Sequence, residues 1–317
     1  MQFQLFKERN FSDYINDTFQ FFKIHGKHFF KTFFTVNGIP LLIATVLVYF
    51  FSKIYMDFIF TNISNPDGNR PEDAFGNFFN ENFGLIIVLA ILAFIVLVTI
   101  SIFQFSFPVV YLDLLDSKKG TDFTAKDIFQ GMKKRISRIL KFFLGAFFVL
   151  FPLMMIVMII NVLLCFIIIG IPLLFVMFPA MLSFVQLTFF YYMNSDQGFF
   201  TAISDAYDTV KNQLWPIVGT TAVMMIIIQI VSTIFTMIPY VFGMASMFTT
   251  LESGDSEEAF SIISMMMSIV MVISIIVSFI FNNLLLVNQG MIYYSHIENS
   301  ESSFYVDSLD LIGTDSE

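Results

Sequence analysis

His25 and His28 stand three residues apart, a spacing that puts two imidazoles on one helix face and within reach of a shared metal ion. No Cys, Asp or Glu accompanies them at suitable spacing. Two ligands make a poor site, so histidines facing a membrane interface beside Lys27 and Lys31 are the expectation. Met154, Met155 and Met158, with Met265 to Met267, have the softness Cu(I) favours, yet no Cys or His completes either group and flexible packing accounts for them. Asp67, Glu72, Asp73 and Glu81 cluster between residues 62 and 82 around the turn signal Asn65-Pro66-Asp67-Gly68, without the spacing of a calcium loop. No nucleophile elbow, Walker loop, HExxH or CxxC occurs. The expectation is a protein that is not an enzyme and carries no metal or cofactor.

The elements that would position these residues are set by where charge is missing. The chain has 317 residues, 57% hydrophobic and 13% charged, too apolar for an ordinary soluble domain. Charge is absent from Asn82 to Leu112, Phe142 to Ser195, Asn212 to Leu251 and Ala259 to Ile297. About 20 apolar residues cross a ~30 Å hydrocarbon core, and a helix covering Phe142 to Ser195 would be ~81 Å long, so that stretch must fold back. Gly170-Ile171-Pro172 supplies the hinge. Six spans follow, near 33–52, 84–107, 142–167, 171–192, 216–239 and 262–287. The expected fold is an all-α, polytopic transmembrane helical bundle: one six-span domain over 1–297 and an acidic tail over 298–317. Cys165 lies within the third span as a small hydrophobe, and no removable signal peptide is apparent.

Ionisable residues are missing from all six spans, which argues against a carrier coupled to ions or protons. Amides remain: Asn37, Gln104, Asn161, Gln186, Gln229, Asn282 and Asn283 form a candidate polar core, through hydrogen bonds between helices or as the lining of a solute path. Ser264 with Ser268, and Ser274 with Ser278, place small residues one turn apart for close helix packing.

Positive charge gathers at three places. The chain carries a net charge of −9, yet 14 of its 16 basic residues precede span one, lie between spans two and three, or lie between spans four and five. By the positive-inside rule those segments and both termini are expected to be cytoplasmic, in an inner (cytoplasmic) cell membrane. Lys133, Lys134, Arg135, Arg138 and Lys141 are the densest group. Ala125, Ile128, Phe129, Met132, Ile136, Ile139 and Leu140 recur beside them at helical spacing, the pattern of an amphipathic helix lying in the interface against anionic headgroups. Lys23, Lys27, Lys31 and Lys211 extend this set of candidate anionic-lipid contacts. The partners expected are membrane lipids and other membrane proteins, not nucleic acid.

The same pattern recurs. FSDYINDTFQFFK (11–23), TDFTAKDIFQGMK (121–133) and FFTAISDAYDTVK (199–211) align without gaps. Asp17, Asp127 and Asp205 share a column, as do Phe19, Phe129 and Tyr207, then Lys23, Lys133 and Lys211. Phe22, Met132 and Val210 make an apolar fourth column. An acid early and a base late in a helix suit its dipole, and the aromatic is expected on the buried stripe. Each copy precedes two spans, so the chain reads as three repeats of interfacial helix plus transmembrane hairpin, near 11–107, 121–192 and 199–287.

These segments, with AISDAYDTVKNQLWPIVG (202–219) and the ending NQGMIYYSHIENSESSFYVDSLDLIG (288–313), resemble Bacteroidota-type bacterial membrane proteins related to the membrane domain of some glycerophosphoryl diester phosphodiesterases. The resemblance implies a membrane domain without its enzyme, since the six spans and their connectors take up these 317 residues, and diesterase activity is not carried over. The expected function is that of an envelope scaffold, assembly partner or lipid-organising component. The alternative is a transporter or channel for an uncharged or lipidic solute. The six acids from Glu298 onward pose a further question, whether the tail folds back onto the basic segments.

Overall fold

The computed structural model describes residues 3–64, 80, 83–252 and 256–314. Most of the 62–82 loop, with Arg70, Asp67, Glu72, Asp73 and Glu81, lies outside the described residues, as does Asp255. So do the side chains of Lys53, Glu252, Glu257 and Glu258, and of the tail from Glu301 onward.

All regular structure among the described residues is helical. In chain order the helices are α1 (Phe11–Ser64), α2 (Phe83–Ser117), α3 (Ala125–Lys134), α4 (Ile136–Gly145), α5 (Phe151–Cys165), α6 (Gly170–Asn194), α7 (Phe199–Asn212), α8 (Leu214–Glu252) and α9 (Ser256–Thr314). A π-helical turn, Ala146–Leu150, joins α4 to α5 just before Pro152. Proline offers no N–H to the ladder, and the wider turn absorbs the mismatch at a helix start. Six helical stretches are long and apolar enough to cross a membrane: Phe11–Ser52, Ile86–Ser117, Ile136–Cys165, Gly170–Asn194, Leu214–Ser246 and Ile262–Ser300. Each overlaps one of the expected spans, four of which lie wholly inside, while 84–107 begins two residues before Ile86 and 142–167 ends two residues past Cys165. α9 continues past Glu298 to Thr314.

Surface chemistry agrees with a lipid environment. On α2, Ile91, Phe94, Ile95 and Leu97 are all more than half exposed. Such a face is costly in water and neutral in hydrocarbon. This is a polytopic membrane protein.

The chain divides into two compact units. The first comprises Met1–Val36, Gln104–Ile227 and Asn282–Glu317. Its interior is aromatic. Phe29 meets Phe107 at 5.2 Å and Tyr111 at 4.8 Å, joining α1 to α2, and Phe142 meets Phe189 at 4.8 Å, joining α4 to α6. Edge-to-face pairs of this kind contribute ~0.5–1.5 kcal/mol each beyond area burial, which matters where lipid removes the hydrophobic drive.

The second unit comprises Asn37–Phe103 and Ile228–Phe281. Helices pack closely at Gly243, where an added Cβ would stand 2.1 Å from the Met266 sulfur. Ser264 and Ser268 are buried nearby in sequence, as the small-residue spacing predicts, whereas Ser278 is exposed and Ser274 half-buried.

Between α5 and α6 the hairpin turns over Phe166–Ile169, slightly ahead of the expected hinge. Ile168 takes the left-handed conformation at φ 69°, uncommon for a β-branched residue. Gly170 opens α6 because a Cβ there would lie 2.4 Å from the Cys165 nitrogen and 2.5 Å from the Asn161 carbonyl oxygen. Pro172 falls in the first turn of α6, where its missing N–H costs nothing.

Candidate functional site

The basic cluster is cut in two by a helix break. α3 ends and α4 begins at Arg135, whose backbone leaves the helical region at φ −98°, ψ 6°. The change of phase sends the two arginines inward and leaves the three lysines out. Arg135 donates from Nη2 to Asp113 Oδ2 of α2 at 2.6 Å. Arg138 donates from Nε to the Tyr192 carbonyl at 2.6 Å and from Nη2 to the carbonyls of Ser195 and, at 2.8 Å, Gln197. Its guanidinium also lies 4.4 Å from the centre of the Tyr192 ring. Arg138 therefore caps the C-terminal end of α6, whose last carbonyls have no partner within the helix. Both arginines, expected as lipid contacts, are engaged within the protein. Lys133, Lys134 and Lys141 are exposed, as are Lys23, Lys27, Lys31 and Lys211.

The three aligned segments share a burial pattern, although one expectation about them fails. Thr18, Ile128 and Ala206, one column of the alignment, are each completely buried. The aromatic column is not buried: Phe19, Phe129 and Tyr207 are 43%, 48% and 56% exposed. Each precedes its column's lysine by four residues, one helical turn, so aromatic and lysine share an outward face. At the third copy Lys211 Nζ lies 5.9 Å from the Tyr207 ring centre. The apolar stripe of α3 and α4 is divided in the same way. Ile128, Met132 and Ile139 pack inward, while Phe129, Ile136 and Leu140 stay on the surface.

The aligned aspartates have diverged in role. Asp17 is buried and accepts from Arg9 Nε at 2.8 Å and Lys7 Nζ at 3.3 Å. Arg9 uses its other nitrogens on the carbonyls of Gln4 and Leu5, both at 2.7 Å, and burial lowers its pKa against the opposing pull of Asp17. Asp127 lies near the surface and accepts from the Thr124 amide at 2.7 Å and the Thr124 hydroxyl at 2.8 Å, which caps α3 and holds its carboxyl below the usual range. Asp205 is pushed upward, first by desolvation and then by Asp208. The segments also differ in backbone. α7 and α8 break at Gln213 as α3 and α4 break at Arg135, whereas α1 runs unbroken from Phe11.

The polar core differs from the expected set. Asn37, Gln104, Asn161, Gln186 and Asn283 are buried, but Gln229 and Asn282 are exposed on the protein surface. Gln229 bonds along its own helix, toward Thr233 at 3.4 Å. Asn288 and Gln289, outside the expected set, are both fully buried on α9 just past the predicted end of span six. Asn288 Nδ2 is within hydrogen-bond distance of the Tyr14 carbonyl at 3.2 Å, Thr18 Oγ1 at 3.0 Å and Thr220 Oγ1 at 3.2 Å. Gln289 donates to Thr221 Oγ1 at 2.8 Å, which pairs with Ser183 Oγ at 2.7 Å. α1, α6, α8 and α9 are thus joined by hydroxyls and amides.

The histidines serve the same purpose. His28 does not share a ligand with His25. Its Nε2 donates to the Phe123 carbonyl at 2.9 Å, which leaves Nδ1 to accept from Tyr111 Oη at 2.9 Å. His25 packs against the Phe3 and Phe21 rings. His296 meets Tyr191 Oη, which also bonds Thr209. Among the described residues no three His, Cys, Asp or Glu side chains are grouped to hold a metal ion. Comparison with known families, curated proteins and solved structures returns no match.

Proposed function

We propose that this protein is a non-catalytic component of a bacterial inner membrane that gathers anionic lipid, and through it or beside it other membrane proteins, on its cytoplasmic side. The reading rests on one observation above others. In all three aligned segments an exposed aromatic sits one turn before an exposed lysine. An aromatic at headgroup depth with a lysine reaching past it to phosphate is the arrangement of an interfacial helix. Phe129, Ile136 and Leu140, left on the surface beside Lys133 and Lys141, extend that face. The shared burial pattern supports three repeats, and the resemblance to an enzyme-free membrane domain fits within this proposal. With the basic segments facing the cytoplasm, both termini do as well.

Each lysine near an anionic surface contributes ~1 kcal/mol, so replacing Lys23, Lys133 and Lys211 together by Gln costs about 3 kcal/mol, roughly 100-fold in affinity. Purified protein in nanodiscs of phosphatidylglycerol and phosphatidylcholine should retain phosphatidylglycerol on mild extraction, and the triple variant should lose it. Equal retention by both would refute the proposal. The alternative of a path for an uncharged or lipidic solute draws on Gln186 Oε1 and Asn161 Nδ2, buried without a partner. Against it, Ser183 Oγ, Thr221 Oγ1 and Gln289 Nε2 bond to one another, although Gln289 Oε1 is left without a partner.

A further inference from the structure

Where α2, the α3–α4 break and the end of α6 meet, a cavity of about 240 Å³ is lined by Asp113, Arg135, Arg138, Met193, Asn194, Ser195 and Asp196. Six of these seven residues are polar, and they sit at the ends of apolar stretches that close with Ser117, begin with Ile136 and close with Asn194. In a membrane protein that is headgroup depth.

The hydrogen bonds of the lining are unevenly used. Arg138 is committed to the carbonyls of Tyr192, Ser195 and Gln197. Arg135 gives Nη2 to Asp113, but its Nη1 is shielded from solvent and has no partner. A buried guanidinium nitrogen without an acceptor is a costly arrangement, and an oxyanion is the group that completes a bidentate Arg site. The same cavity carries two carboxylates, Asp113 and the exposed Asp196. A purely anionic ligand would gain from Arg135 and lose against both of them. A ligand carrying an anion and a cation a few bonds apart satisfies both sides.

We infer that this cavity holds a phosphoethanolamine headgroup, its phosphodiester oxygens accepting from Arg135 Nη1 and its primary ammonium donating to Asp196 and Asp113. The inference rests on the protein spanning a membrane and is independent of the exposed lysines, which select anionic lipid without a pocket. A trimethylated choline headgroup fits less well, because it has no N–H to give to a carboxylate. The protein thus carries two lipid-recognising features with different headgroup preferences.

Native mass spectrometry of the whole protein, extracted from nanodiscs containing equal phosphatidylethanolamine, phosphatidylglycerol and phosphatidylcholine, tests this. One phosphatidylethanolamine should survive detergent stripping, held about tenfold better than phosphatidylcholine, the value of one charge-assisted bond. Arg135→Lys keeps a charge opposite Asp113 and removes the second donor arm, while Asp196→Asn changes an exposed side chain. Both should release that lipid, with melting temperatures near wild type for Asp196→Asn. K23Q/K133Q/K211Q should lose phosphatidylglycerol and keep phosphatidylethanolamine, which separates this site from the lysine surface. No preference for phosphatidylethanolamine in wild type overturns the inference, and so does a preference that survives both substitutions. Displacement by inorganic phosphate alone also overturns it, because the carboxylates then play no part.

Discussion

Arg138 and the lysines beside it should separate cleanly under mutation. The Arg138 guanidinium makes two part-buried bonds, to the carbonyls of Tyr192 and Ser195, a third exposed one to Gln197, and a stacking contact with Tyr192. Taking each part-buried charge-assisted bond at the low end, ~1.5 kcal/mol, and the exposed ring contact at ~0.5 kcal/mol gives about 3.5 kcal/mol. Arg138→Lys keeps the charge but cannot span three carbonyls from one ammonium, so most of this is lost. At roughly 2–4 °C per kcal/mol for a domain of this size, the midpoint in detergent should fall by about 7–14 °C. Fluorescence-detected size-exclusion after heating reads this directly. The phosphatidylglycerol retained per folded molecule should not change. K133Q/K134Q/K141Q should show the reverse, with an unchanged midpoint and less bound phosphatidylglycerol. If Arg138→Lys melts with wild type and sheds lipid instead, the helix-capping role is wrong.

Other consequences can be tested in the same way. Asn288→Leu removes an amide whose two N–H groups serve three acceptors, and should destabilise the protein by ~1–3 kcal/mol, seen as a lower melting midpoint than Asn282→Leu on the exposed face. Gly170→Ala drives a methyl group into backbone atoms that cannot give way and should abolish monodisperse protein, whereas Gly198→Ala, with its nearest neighbour 4.0 Å away, should purify normally. The Asp127 carboxyl is held below its unfolded value by the Thr124 amide and hydroxyl. Its cap is therefore fully present above the unfolded value of ~3.9 and lost as pH falls through the lower folded value. Hydrogen exchange at the start of α3, compared with Asp127→Asn, should differ at neutral pH and converge in acid.

The six crossings were readable because the absence of charge over twenty or more residues has one physical meaning. The fate of Arg135 and Arg138 was not, since a helical wheel assumes constant phase and α3 breaks at Arg135 itself. A wheel also cannot say whether an apolar face meets protein or lipid. For that reason Phe19, Phe129 and Tyr207 were expected inside and Gln229 and Asn282 were expected in the core. Asn288 and Gln289 fell just beyond the predicted end of span six, though the charge-free stretch continuing to Ile297 was the available signal. The pairing of His28 with Tyr111 and Phe123 joins residues 83 and 95 positions apart, which no local pattern encodes.

The turn between α5 and α6 contains no polar side chain, and Phe166, Ile167, Ile168 and Ile169 are 83%, 59%, 74% and 60% exposed. Three of its four amides are nonetheless occupied: Phe166, Ile167 and Ile168 donate to Leu163, Leu164 and Cys165 three residues back, and just beyond the turn Ile171 donates to Ile168. A loop that settles most of its own backbone and shows only hydrocarbon makes little call on water. This hairpin can stop short of the far aqueous phase, so proteases and labels applied from that side would find nothing to cut or modify at its tip.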